Sequence, residues 1–265
     1  MPKTLDARDA VLADPEGSLL ALDFDGTLAH IVDDPTRAFA NEQSVAALAR
    51  IGGRIGHIAI ITGRPVHQAL SLGGFSGLAG LERLVIFGQY GRERWDAATG
   101  HTVAPPRDPE IAAVEALLPQ WLLAHDAEAV RIEDKGLAIA LHTRGLGEGV
   151  FDRLAPELSA LAAQHGLDVE PGRQVVELRT AVIDKGDVLR SYVTEIGARH
   201  VIFAGDDLGD VPAFETVVEL RAEGITGLLI CSASAEQDAL VALSDLVLDG
   251  PDAVANWLEK LADDL

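Results

Sequence analysis

Cysteine is almost absent from this chain of 265 residues: Cys231 is the only one, so no disulfide can form within it. Its setting, Leu228-Leu229-Ile230-Cys231, reads as core packing rather than reactivity. Basic residues are scarce as well, 21 Lys and Arg against 42 Asp and Glu, for a formal net charge of −21. A field of that sign repels nucleic acid and anionic membranes, which excludes both as expected partners. No apolar run approaches the roughly 18 residues that a membrane-spanning helix needs. The opening residues Met1-Pro2-Lys3-Thr4-Leu5-Asp6 carry no signal-peptide pattern, and a cytoplasmic protein is the expectation. None of the eight His residues falls in a metal spacing such as HExxH, and no internal repeat or low-complexity tract is present.

What the chain does have is apolar material, 48% of its residues with a mean hydropathy of +0.18, over a length beyond one typical domain. Short apolar runs alternate with helical periodicity. Strands are expected at 19–24, 57–61, 84–87, 200–204, 226–231 and 245–248, and helices at 42–50, 66–72, 184–196, 211–222, 235–242 and 252–262. That alternation predicts an α/β fold, a Rossmann-like parallel sheet with helices on both faces. The first 15 residues read as a helix or an ordered lead-in. The middle of the chain breaks the pattern. After the stiff stretch Pro105-Pro106-Arg107-Asp108-Pro109 come a helix near 109–125 that contains Pro119, strands at 129–134 and 137–143, a helix at 149–165, and strands near 167–170 and 174–178. The expected organisation is therefore a core formed by 1–104 and 179–265, with an inserted α+β cap domain at 105–178.

The most informative segment is Asp23-Phe24-Asp25-Gly26-Thr27, directly after the apolar run Leu19-Leu20-Ala21-Leu22. A buried strand that ends on two carboxylates two residues apart, followed by Gly-Thr, presents both acids at one strand end and frees the amides around Gly26 and Thr27 to face an anion. Asp23 can attack phosphorus as a nucleophile, and Asp25 can protonate the leaving alkoxide and later deprotonate water. Acids this close repel one another, and a divalent cation offsets them, so the chemistry implies Mg2+.

Three further segments add to this. Ile58-Ala59-Ile60-Ile61-Thr62-Gly63-Arg64-Pro65 ends an apolar run on a hydroxyl and then meets a helix start, where Thr62 and the Gly63 amide can hold a phosphate oxygen. Asp184-Lys185-Gly186-Asp187 places a Lys against the dipole of a helix start, which suggests that Lys185 serves another charge, phosphate or Asp23. Phe203-Ala204-Gly205-Asp206-Asp207-Leu208-Gly209-Asp210 ends a strand on three acids, hard oxygen ligands suited to Mg2+. With so acidic a chain, Mg2+, Lys185, backbone amides and Arg64 must create the positive region that a phosphorylated substrate requires.

These four motifs, in this order, resemble those of the haloacid dehalogenase-like (HAD) phosphohydrolases, whose first motif is DxDGT. The resemblance implies the HAD fold with a C2-type cap, Asp23 as nucleophile, Asp25 as acid and base, and Mg2+. It further implies Asp206 as a direct metal ligand beside the Asp23 side chain and the Asp25 backbone carbonyl, with Asp207 and Asp210 as alternate ligands or partners of metal-bound water. The segments around Gly88-Gln89-Tyr90-Gly91-Arg92-Glu93, Ile132-Glu133-Asp134-Lys135-Gly136 and Gly172-Arg173-Gln174-Val175-Val176-Glu177, and the ending Leu248-Asp249-Gly250-Pro251, are similar to those of trehalose-6-phosphate phosphatases. The family implies a sugar phosphate as the small-molecule partner and leaves association with a trehalose-6-phosphate synthase open.

Charged and amide groups bind sugar hydroxyls well, so Glu93, Lys135 and Glu177 are candidate sugar contacts, with Gln89 beside them and Tyr90 able to stack on a pyranose face. His142, on an apolar strand, reads as a core residue rather than a ligand. The chain departs from the family pattern at Gln89-Tyr90, where Asn-His is expected, at Thr180, where Pro is expected, and at Gly209-Asp210-Val211-Pro212. Two alternatives to trehalose 6-phosphate hydrolysis stay open: a phosphatase for another sugar phosphate, of the sucrose-phosphate or mannosyl-glycerate-phosphate type, and a non-catalytic sugar-phosphate sensor.

Overall fold

The computed structural model describes residues 4–143, 149–172, 175–180, 183–233 and 238–265. In chain order, α1 (Thr4–Ala13) leads into β1 (Ser18–Leu22), α2 (Glu42–Gly52), β2 (His57–Ile61), α3 (Val66–Gly73) and β3 (Leu84–Gly88). The hairpin β4 (Glu93–Asp96) and β5 (His101–Val103) follows. Next come α4 (Pro109–Ala124), β6 (Arg131–Asp134), β7 (Ala138–His142), α5 (Val150–Gln164), β8 (Asp168–Gly172) and β9 (Val175–Arg179). The chain ends with α6 (Lys185–Ile196), β10 (His200–Gly205), α7 (Val211–Ala222), β11 (Thr226–Ser232), α8 (Asp238–Leu243), β12 (Leu246–Leu248) and α9 (Gly250–Asp264). Arg173 and Gln174, and the first residues of the helix expected at 235–242, lie outside the described residues.

The residues fall into two compact units, Met1–Ala104 with Ile183–Leu265, and Pro105–Val182. The boundary expected at 178 falls inside β9, and the second unit runs on to Val182. The first unit is built on an eight-stranded sheet in the order β12-β11-β10-β1-β2-β3-β4-β5, parallel from β12 to β3 and antiparallel through β4 and β5. Its six parallel strands are the six expected apolar runs, because a strand covered on both faces needs no polar side. The hairpin β4–β5 left no such mark: its strands have four and three residues, and Trp95 is their one buried side chain.

Side-chain alternation divides the first unit's core in two. Leu20, Leu22, Ile58, Ile60, Ile202, Ala204, Leu228 and Ile230 pack with α2 and α9 through Leu48, Ile51, Leu258 and Leu261. The residues between them, Leu19, Ala21, Ala59, Ile61, Val201, Phe203, Leu229 and Cys231, pack with α6 and α7 through Leu189, Val193, Phe214 and Val217. Cys231 is buried there, as its apolar run suggested. The second unit is an antiparallel sheet in the order β6-β7-β9-β8, with Ile139, Leu141, Val176 and Leu178 packed against Ile111, Val114 and Leu118 of α4 and Leu154 and Leu158 of α5. Among the described residues, no helix is long and apolar enough to cross a membrane.

Candidate active site

In the alternation of β1, residues 19 and 21 face α6, so the next odd residue, Asp23, is turned to the same side. Lys185 meets it there as the first residue of α6. Its Nζ lies 2.6 Å from Asp23 Oδ1 and 2.7 Å from Asp210 Oδ1, and all three side chains are buried. The helix start is otherwise well formed, with Asp184 and Asp187 making a reciprocal capping box. Two carboxylates thus hold an ammonium where the helix dipole disfavours it.

Asp210 organises the acidic cluster after β10. While Oδ1 receives Lys185, Oδ2 accepts from the amides of Asp206 at 2.9 Å and Asp207 at 3.3 Å. Asp207 is exposed and caps the short turn Leu208–Asp210 by accepting from Gly209 N at 2.9 Å. The Asp206 carboxylate lies against Gly26, where a Cβ would fall 2.0 Å from its Oδ2. Gly26 also has φ +75°, so any side chain there would strain the backbone and strike the carboxylate.

Among the described residues, Asp23, Asp206 and Asp210 form the one group of potential ligands with oxygens within 4.8 Å of one another. Three buried carboxylates face a single buried ammonium. Burial, followed by the charges of Asp23 and Asp210, pushes the Asp206 carboxyl up to about 10. Burial opposes the Lys185 charge, yet Asp210 and Asp23 outweigh it and hold the ammonium well above its ordinary value. A carboxyl raised that far keeps a proton at neutral pH unless a cation takes its place. The all-oxygen donor set fits a hard divalent cation.

The second carboxylate of the motif stands apart from this cluster. Asp25 is half-buried and gripped by Arg64 in a fork, Nε to Oδ2 and Nη2 to Oδ1, both at 2.6 Å. Arg64 Nη1 donates to the Pro35 carbonyl at 3.1 Å. Arg64, expected at the phosphate, is thus engaged with the acid in this structure. Thr62 Oγ1 accepts from Arg64 N at 3.1 Å, which leaves its own hydrogen to donate elsewhere. The loop after Asp23 closes through Gly26 N to Ala29 O at 2.7 Å and through Leu28 N and Ala29 N to Phe24 O, both at 2.9 Å. The amides of Asp25, Thr27 and Gly63 have no acceptor among the described residues, and neither has the buried Thr27 hydroxyl a partner. Donors without an intramolecular acceptor, next to a buried acid cluster, are what an anionic substrate needs.

The family model for trehalose-phosphatase matches residues 21–245. The chain belongs to the trehalose-phosphatase family. A trehalose-phosphate phosphatase of Mycobacterium avium (strain 104) is 28% identical over 254 residues, covering 92% of this chain and 61% of that relative. One from Mycobacterium tuberculosis (strain ATCC 25177 / H37Ra) is 28% identical over 248 residues, covering 91% and 60%. The chain thus spans about three-fifths of the length of these curated relatives. Among solved structures, the C-terminal domain of the C. albicans trehalose-6-phosphate phosphatase has a TM-score of 0.75 at 19% identity, covering 97% of this chain and 96% of that one. A haloacid dehalogenase-like hydrolase from Bacteroides thetaiotaomicron has a TM-score of 0.65 at 18% identity, covering 92% and 99%. At such identities the likeness is one of fold, the parallel α/β core of HAD-like hydrolases.

The trehalose-phosphatase segments outside the four motifs are placed as follows. Gln89 is buried, and its Oε1 has no partner among the described residues. Tyr90 lies over Gly63, where a Cβ would come 2.8 Å from the phenol oxygen. Glu93 accepts from Val66 N at the start of α3. In the second unit, Lys135 and Glu177 form an ion pair with each other and are 15% and 9% exposed. His142 pairs with Glu133 at 2.6 Å and serves there as a structural partner. One residue escaped the sequence reading. Ser232, fully buried at the end of β11, donates its hydroxyl to the Gly26 carbonyl at 2.6 Å. A Ser after an apolar run gives no signal of a partner on another strand.

Proposed function

We propose that this chain is a phosphatase that hydrolyses trehalose 6-phosphate to trehalose and phosphate through an aspartyl phosphate on Asp23. The observation that carries this reading is the buried Asp23–Lys185–Asp210 constellation with Asp206, at the carboxyl end of β1, in a member of the trehalose-phosphatase family. The Asp23 oxygen not bonded to Lys185 attacks phosphorus, and the bond from phosphorus to the sugar oxygen breaks. Asp25 gives the leaving alkoxide its proton, then takes one from the water that cleaves the aspartyl phosphate and restores Asp23. Lys185 offsets charge on Asp23 and on the phosphoryl oxygens, while the Thr62 hydroxyl and the amides of Asp25, Thr27 and Gly63 bind those oxygens.

Mg2+ is the proposed cofactor, held by Asp23, Asp206 and the Asp25 carbonyl with Asp207 and Asp210 adjacent, and it would supply the positive charge that lets a trianionic cluster accept a phosphate. Residues 105–182 are assigned the selection of the leaving group, with Lys135 and Glu177 as proposed sugar contacts, and the cytoplasm is the proposed compartment. Gln89-Tyr90, in place of the family's Asn-His, favours one second reading, a phosphatase for a different sugar phosphate. Phosphate release from a panel of sugar phosphates, with Mg2+ and with chelator, tests both. The reading predicts the highest kcat/KM on trehalose 6-phosphate and loss of turnover on chelation. An equal or higher kcat/KM on another member removes the substrate, and undiminished turnover in chelator removes the metal.

A further inference from the structure

Glu93 is half-buried at the start of β4, and both of its carboxylate oxygens are engaged. Oε2 accepts from Val66 N at 2.6 Å, and Oε1 accepts from Gln89 Nε2 at 2.9 Å. The first contact caps α3, whose own N-cap residue, Pro65, makes no side-chain capping bond. Helix starts leave N–H groups that need such an acceptor. The second contact anchors the turn after β3.

That turn is sewn to Thr62-Gly63-Arg64 along the backbone: Thr62 N donates to Phe87 O at 2.9 Å, Gln89 N to Arg64 O at 2.9 Å, and Tyr90 N to Thr62 O at 3.0 Å. Gln89 and Tyr90 are both left-handed, with φ of 47° and 56°. Residues with a Cβ occupy that region at a cost in free energy, and only where their surroundings hold them. One carboxylate therefore ties together the helix that follows Arg64 and the strained turn that hydrogen-bonds Thr62 and Arg64. Arg64 in turn holds Asp25 in its fork.

We propose that Glu93 is a positioning residue that fixes the Thr62–Arg64 segment and, through the Arg64 side chain, sets where Asp25 stands. This assignment replaces the expectation of Glu93 as a sugar contact, and it rests on the phosphatase reading above. The two roles differ in what they affect. A positioning residue acts on every ester that the site cleaves, whereas a sugar contact acts only on esters that contain the sugar.

The test compares E93A, E93Q and Q89L on trehalose 6-phosphate and on p-nitrophenyl phosphate, at a temperature well below each variant's melting midpoint. E93A is expected to lower kcat by about 10- to 100-fold, the scale of a small misplacement of reacting groups, by the same factor on both esters and with little change in KM. E93Q keeps an acceptor for Val66 N and is expected to recover most of the loss. A rise in KM for trehalose 6-phosphate alone, with the aryl ester unaffected, overturns the proposal and makes Glu93 a sugar contact, and an unchanged kcat on both esters overturns it as well. Should E93A fail to fold, Q89L leaves the Val66 cap in place and must lower kcat on both esters; no effect there overturns the proposal. A wild-type chain that cleaves the aryl ester but not trehalose 6-phosphate removes the sugar reading, while the aryl-ester arm still decides the role of Glu93.

Discussion

Ser232 holds the Gly26 carbonyl at 2.6 Å from the β11 side of the sheet, and a trans peptide sends its N–H the opposite way. The Thr27 amide is thereby turned away from the Ser232 hydroxyl. Hydrogen-bonding the carbonyl also strengthens the same peptide's N–H as a donor. Ser232→Ala leaves a buried carbonyl without its donor, which is expected to cost about 1–3 kcal/mol of stability in urea unfolding and to lower kcat in phosphate-release assays. A variant as stable and as fast as the wild type would remove this role. The pairing of Asp23 with Lys185 was legible in the sequence because one follows a strand and the other opens a helix, at a spacing that few other arrangements explain. Ser232 and the capping role of Glu93 were not. Their partners lie far along the chain or on another element, and an isolated Ser or Glu is ordinary on its own.

At the scale of elements, the six parallel strands were legible because burial on both faces leaves nearly uninterrupted apolar runs, and the alternation within them only divides the two core layers. The hairpin β4–β5 was not, since its strands are short and partly polar. In the second unit, the hairpin β6–β7 carries a polar pair of its own. Glu133 and His142 are diagonal neighbours across the strands, 2.6 Å apart. The hydrogen bond from His142 outweighs burial and holds the Glu133 carboxyl at about 2, below the ordinary 4.5. A carboxyl lowered on folding adds stability that is complete above its unfolded value and is lost as pH falls through its folded one. The melting advantage of the wild type over Glu133→Gln is therefore expected above about pH 4.5 and to fade toward about pH 2. An advantage that stays constant over that window would contradict the pairing.

At the scale of the molecule, a net charge of −21 opposes the approach of any phosphate ester, so the proposed turnover depends on charge gathered locally. Most of that arrangement could be read from the chain, because four short motifs placed Asp23, Thr62 and Asp206 just after the neighbouring strands β1, β2 and β10, and Lys185 at the start of α6. The choice of sugar could not be read in the same way, since the partners of the candidate contacts, such as the ion pair between Lys135 and Glu177, are supplied only by folding. The proposed mechanism requires that Asp23 become covalently phosphorylated during turnover. The most direct test is acid quenching during steady-state hydrolysis of trehalose 6-phosphate with Mg2+, followed by peptide mass spectrometry. One phosphoryl group is expected on the peptide that contains Asp23, with neither adduct nor turnover in Asp23→Asn. Phosphate release by Asp23→Asn near the wild-type rate would contradict it.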